Sequence, residues 1–257
     1  MTFVLLDAGW EPFKEWAIWR FLLEGLWLSL RIAGFSIVLS LFIGTAMAVG
    51  RLSSVPPVRW ATAAYVEVFR ATPLLLLFFF VFFGAGRADL FWVRDLPAIG
   101  GSIVDDRAHL LAIPSAVIAL TLYNSAVVAE IMRAGILSIS KGIIEASRSL
   151  GLTYLQSMRY VAVPMALRRM APGLVSQLIT LFKDTSLASI ITVLELMRRG
   201  RLIYDNPTYA NSLETLTVIA IMYFIPAYAL SLLAQRLEMG PDARATRATV
   251  PVDVKAG

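Results

Sequence analysis

Five apolar runs, each close to the length of a membrane-crossing helix, leave this chain few folds to choose from. They lie at about 26–49, 61–83, 110–131, 172–194 and 213–233. A helix rises about 1.5 Å per residue, so roughly 20 residues cover the roughly 30 Å hydrocarbon core. In that medium each backbone N–H and C=O needs a partner inside the protein, and a helix provides all of them within one segment. The expectation is an all-α membrane protein with about five transmembrane helices.

Composition matters here for what it excludes. The 257 residues are 58% hydrophobic and 16% charged, with a mean hydropathy of +0.72, well outside the range of soluble domains. There is no cysteine, which removes disulfides, thiolate metal sites and cysteine nucleophiles. The single histidine, His109, cannot build a multi-histidine metal site and is expected to be an ordinary interfacial residue. The start, MTFVLLDAGWEPFKEW, lacks the basic n-region and small-residue cleavage site of a signal peptide.

The net charge of +5 is spread in a telling way. No basic and aromatic cluster stands apart from the apolar runs, so lipid and not nucleic acid is the expected partner. Arg51 and Arg59 follow the first run. Arg133, Lys141, Arg148, Arg159, Arg168 and Arg169 flank the third and fourth, with Glu145 the only acid among them. Arg236, Arg244, Arg247 and Lys255 close the chain. Basic residues mark cytoplasmic loops. The N-terminus is thus expected outside and the C-terminus inside: an outer segment 1–21, a membrane domain 22–238 and a cytoplasmic tail 239–257. The outer segment 85–109 is balanced in charge, but Arg198, Arg199 and Arg201 break the rule in the last outer loop. They either meet an acidic patch on a substrate-delivering protein or neutralise Glu195 and Asp205.

Small residues in the first run (Gly34, Gly44, Ala48, Gly50) and the third (Ala116, Ala119, Ala126) permit close helix packing. Pro73 and Pro226 should kink or interrupt their helices. Charges inside a span are costly and face the bundle interior, so each is a functional candidate. Lys183 and Asp184 fall near the middle of the fourth run, followed by Thr185. Lys183 either meets a substrate carboxylate or pairs with an acid on another helix. Asn124 either binds substrate or bridges two helices. Glu67 with Arg70, and Glu130 with Arg133, are spaced for same-face ion pairs. Arg31 is close enough to the end of its run to reach headgroups.

Between the third and fourth runs lies a polar island, residues 141–164, KGIIEASRSLGLTYLQSMRYVAVP. Residues 143–150 suit a short helix, Gly151 can take a left-handed cap, and Thr153 with Gln156 spells a capping box that starts a second helix. Local physics leaves open whether this is a connecting loop or a docking element.

Glu145-Ala146, Gly151 six residues after the Glu, and Pro164 behind Val161 and Val163 resemble the E-A-A-x3-G-x9-I-x-L-P loop of permease subunits of bacterial ABC importers. Ser147 stands for the second Ala, and Val161 and Val163 for the usual Ile and Leu. The resemblance extends over about 22–238 through RLSSVPPVRW, YVEVFRATPLLLLFFFVFFG, AEIMRAGILSISKG and LRRMAPGLVSQLITLFKDTSLASIITVLEL, which look like the polar amino acid branch. The phrases around SIS-KG and QSM-R-Y-V are similar to glutamate/aspartate permeases; Met165 replaces a frequent Gln, and Ile143-Ile144 replace Gln and an aromatic or polar residue.

The resemblance implies the type I, MetI-like permease fold in the bacterial inner membrane and an importer of polar amino acids, glutamate and aspartate first. It implies that Glu145, Ala146, Arg148, Gly151 and Pro164 form the coupling contact with an ATPase dimer, and that Lys183, Asp184, Thr185 and Asn124 are candidates for the substrate path. A second permease, either a copy or a homologue, and a periplasmic binding protein complete the expected assembly. The sequence has no G-x4-G-K-[ST] phosphate loop, so ATP with its magnesium is expected on the partner ATPase and this chain is expected not to be an enzyme. The rival is an ion-coupled secondary transporter, which predicts inverted repeats; none is evident in the sequence.

Overall fold

The computed structural model describes residues 10–87, 107–207 and 212–238, with side chains at 10–84, 111–207 and 212–232. The first nine residues, residues 88–106, residues 208–211, the tail 239–257 and the side chain of His109 lie outside the described residues.

After a short 3-10 turn, Glu11–Lys14, helix α1 runs Trp16–Arg51, ten residues earlier than the apolar run suggested. Glu15 is extended before it, and the polar residues Arg20 and Glu24 pair with each other (3.1 Å) instead of ending the helix. Arg31 consequently lies about four turns inside α1 and not near its end.

The second run is not one helix. Helix α2 spans Pro56–Ala71 and α3 spans Leu74–Arg87, bent by 106° where Pro73 intervenes. Proline has no N–H and pushes the residue before it out of the helical region; Thr72 sits at φ −78°, ψ 126°. Four described helices are long and apolar enough to cross a membrane, or five if this bent pair counts as one span.

Helix α4 spans Arg107–Leu137 with Pro114 inside it. The polar island forms α5 (Lys141–Ser149) and α6 (Tyr154–Ser157), which passes through one π turn, Met158–Ala162, into α7 (Val163–Asp184). A 3-10 segment, Thr185–Ile191, follows α7. The apolar stretch therefore covers Tyr154–Ile191. It begins well before residue 172, which puts Lys183 and Asp184 towards its end and not at its middle. Short helix α8 (Leu196–Tyr204) and long α9 (Ser212–Glu238) complete the chain; α9 continues through Pro226 without a break.

Helix α1 lies alongside α4 in the same direction. Ser36 donates to the Val117 carbonyl and Ser40 to that of Thr121, and a Cβ on Gly44 would come within 2.9 Å of the Ser125 carbonyl oxygen. Gly44, Ala48, Gly50, Ala116, Ala119 and Ala126 are all buried, as close packing requires. Gly34 is the exception: a Cβ there would meet nothing within 4 Å. Helix α7 runs against α4, so Gln177 faces Asn124 and Arg169 reaches Ser138. Helix α9 runs with α1, placing Met222 in a cluster with Leu22, and Ala227 in another with Ala33 and Phe182. Phe78 of α3 packs with Ile32, Leu120 and Ile191 at the centre of the largest cluster.

Candidate functional site

The polar island stands out from the bundle as a shaped element. Its helix α5 ends at Leu150, and Gly151 adopts φ +87°, where a side chain would strain the backbone. The turn is closed by Gly151 N–H to the Arg148 carbonyl (2.9 Å) and Leu152 N–H to that of Ser147 (3.4 Å). The capping box forms as expected: Gln156 N–H donates to Thr153 Oγ1 (3.3 Å) and Thr153 N–H to Gln156 Oε1 (2.9 Å). Ile143 anchors the element on a cluster of Ile139, Ala162, Ala166 and Met170. Glu145, Ala146, Arg148, Gly151 and Pro164 all face outward. So do Leu150 at 86% exposure and Leu155 at 78%, a large apolar surface for a segment so polar.

The four substrate-path candidates do not converge. Asn124 is fully buried; its Nδ2 donates to the Leu120 carbonyl (2.8 Å) and its Oδ1 accepts from Gln177 Nε2 (2.6 Å). The second of these bonds joins α4 to α7. Thr185 is also buried, its hydroxyl donating to the Phe182 carbonyl (2.7 Å). Lys183 is exposed beside α9 and lines an open groove of about 420 Å³ with Ile179, Tyr223, Phe224, Tyr228 and Ser231. Asp184 is half-buried at the end of α7.

Two charge networks join the helices. At the end of the bundle next to α5, the Glu130 carboxylate accepts from Arg51 (2.7 Å) and from Arg133 (2.6 and 3.1 Å), and Arg51 also reaches Glu67 (3.4 Å). The Glu130–Arg133 pair is thus present, whereas Glu67 is held by Arg51 of α1 and not by Arg70. At the other end, the basic group in 198–201 is partly structural. Arg199 is buried: it donates to the Leu194 carbonyl (2.9 Å), the Phe21 carbonyl (2.8 Å) and Glu24 (2.9 Å), and lies over the Phe21 ring. Glu24, not Glu195 or Asp205, is its acidic partner. Glu195 caps α8, accepting from the backbone N–H groups of Met197 (2.9 Å) and Arg198 (2.8 Å), and also from the hydroxyls of Ser29 (3.2 Å) and Tyr223 (2.6 Å). Burial pushes its carboxyl above the usual carboxylate range, against the pull of these hydrogen bonds.

Arg51, Gln177, Glu195 and Tyr223 did not emerge from sequence as site residues. Gln177 had a usable mark, an uncharged polar residue inside an apolar run; Tyr223 had none, because an aromatic in a span is ordinary.

This arrangement is an all-helical, multi-span membrane bundle with a projecting helix-turn-helix between its third and fourth apolar stretches. Residues 37–238 match the family model for the binding-protein-dependent transport system inner membrane component, and the chain belongs to that family. It is 40% identical to the probable glutamine ABC transporter permease protein GlnP of Bacillus subtilis, over 85% of this chain and 93% of that one. It is 35% identical to the glutamate transport system permease protein GluD of Corynebacterium glutamicum, over 91% and 80%. A crystal structure of an amino acid ABC transporter with histidines superposes with a TM-score of 0.71 at 29% identity, covering 85% of this chain and 93% of that one. The chain is an inner-membrane permease of the amino acid ABC transporter family, which weighs against an ion-coupled secondary transporter.

Proposed function

We propose that this chain is the membrane-spanning half of an ATP-driven importer that brings glutamate and aspartate into the cell. The observation that carries the ATP-driven part is the α5–α6 element, a capped turn projecting Glu145, Ala146, Arg148, Leu150 and Leu155 away from the bundle. Such a surface suits a groove on an ATPase subunit, with Gly151 shaping the turn and Pro164 fixing the entry to α7. ATP and magnesium belong to that partner. The membrane cavity is completed by a second permease, a copy or a homologue, and loaded by a periplasmic amino-acid-binding protein. In this reading α5 faces the cytoplasm and α8 the periplasm.

Lys183 supplies an ammonium on the path, where it would meet a substrate carboxylate, with Asp184 beside it. Asn124 contributes by holding α7 against α4, and Thr185 by closing the end of α7. The glutamate/aspartate-like phrases in the sequence and the glutamate transport relative support the acidic substrate. Glutamine is a second reading, favoured by the 40% identity to a probable glutamine permease.

The test is uptake of labelled glutamate in cells with and without the gene. ATP depletion and a protonophore are applied separately, and aspartate and glutamine serve as competitors. Gene-dependent uptake that follows ATP and is competed by aspartate is the expected result. Competition by glutamine alone would replace the substrate, and uptake that survives ATP depletion would overturn the importer reading.

A further inference from the structure

Tyr223 belongs to two structures at once. It lines the groove that holds Lys183, with Phe224 and Tyr228 further along α9. Its hydroxyl donates to Glu195 at 2.6 Å, and its ring packs 5.5 Å from that of Phe182. Glu195 is wholly buried. Its described partners are all neutral donors, since Arg199 is turned towards Glu24.

Capping α8 needs only the two backbone N–H groups, a task for which a short Ser, Asp or Asn serves well. The longer Glu side chain adds something a cap does not require: one carboxylate oxygen that also takes the hydroxyls of Ser29 on α1 and Tyr223 on α9. Three elements meet on that atom. Burying a carboxylate without a cation is expensive unless its hydrogen bonds are filled, so Tyr223 cannot leave Glu195 cheaply.

We infer that Glu195 is a positioning residue of the substrate path: by holding the Tyr223 hydroxyl it fixes that ring as a wall of the Lys183 groove and ties the wall to α8. This rests on the reading of Lys183 as a path residue. A fixed aromatic face beside one ammonium suits a small zwitterion, its carboxylate towards Lys183 and its body against the ring. Through the cap on α8, the same contact makes the groove and the outer end of the bundle one mechanical unit.

The test reads substrate moved per ATP hydrolysed, in proteoliposomes holding the full importer with its ATPase and binding protein, using labelled glutamate. That ratio does not depend on how much protein folds. The variants are Lys183→Gln, Tyr223→Phe, Glu195→Gln and the Tyr223→Phe/Glu195→Gln double. Tyr223→Phe leaves the α8 cap intact, which separates positioning from folding. Expected is an equal fall of about fivefold in both singles, the worth of one hydrogen bond, with no further fall in the double. An unchanged ratio in Tyr223→Phe, with Lys183→Gln impaired, overturns the inference and leaves the path reading standing. A double variant that multiplies the two effects also overturns it, because the residues then act separately. An unchanged ratio in Lys183→Gln removes the path reading, and this inference with it.

Discussion

Gly151 is the residue at which backbone conformation and proposed coupling meet. At φ +87° it needs a residue without a Cβ, yet a Cβ placed there would touch nothing within 4 Å. The cost of a side chain is therefore backbone strain alone, about 1–2 kcal/mol. For an exposed turn that is too little to unfold a bundle held elsewhere, but enough to misshape the turn. Gly151→Val is expected to abolish most uptake while membrane abundance, measured by immunoblot, stays near wild type. Normal uptake at normal abundance would remove the docking role. This residue was legible in the sequence because everything that sets it is local: a helix end, a glycine and a capping box within sixteen residues of Lys141. Asn124 was not legible in the same way. Its use is decided by Gln177, 53 residues on, and no local pattern says that α7 will bring that amide to it.

Among elements, the clearest mismatch is the second apolar run, where counting apolar residues suggested a single helix and Thr72-Pro73 divides it by 106°. Hydropathy gives the membrane's view of a segment and is blind to a missing N–H. The bend carries α2 to the Arg51–Glu130 junction and sends α3 into the core beside α4. At that junction, exposure ranks the partners. The Arg51 and Glu130 side chains are 15% and 23% exposed, whereas Glu67 is 66% exposed. Glu130→Gln leaves Arg51 and Arg133 sharing a neutral partner and is expected to cost roughly 1–3 kcal/mol, short of the roughly 3–5 of a fully buried pair. Glu67→Gln should cost under about 1 kcal/mol, as exposed pairs do. Thermal unfolding of the detergent-solubilised protein ranks them; equal shifts for both would show that the junction is not held by Glu130.

For the whole molecule, helix direction converts a charge rule into a geometric prediction. Serine contacts and glycine packing set α1 parallel to α4, the apolar clusters set α9 parallel to both, and Gln177 with Asn124 and Arg169 with Ser138 set α7 against them. The C-terminal ends of α1 and α4 therefore share one side of the membrane with α5, and α8 lies at the opposite end beside the start of α1. The sequence contains no cysteine, so a single introduced cysteine is the only thiol in the chain. Ser54, Ser149 and Leu202 are exposed and avoid the networks described above. In intact cells, Leu202→Cys is expected to react with a membrane-impermeant maleimide, while Ser54→Cys and Ser149→Cys react only after the membrane is opened. Because Ser54 and Ser149 belong to different loops, they test the fold and the orientation separately. If both react from outside and Leu202→Cys does not, the bundle is as described but inverted, and α5 cannot meet an ATPase. If Ser54→Cys and Ser149→Cys differ from each other, the parallel pairing of α1 with α4 is itself wrong.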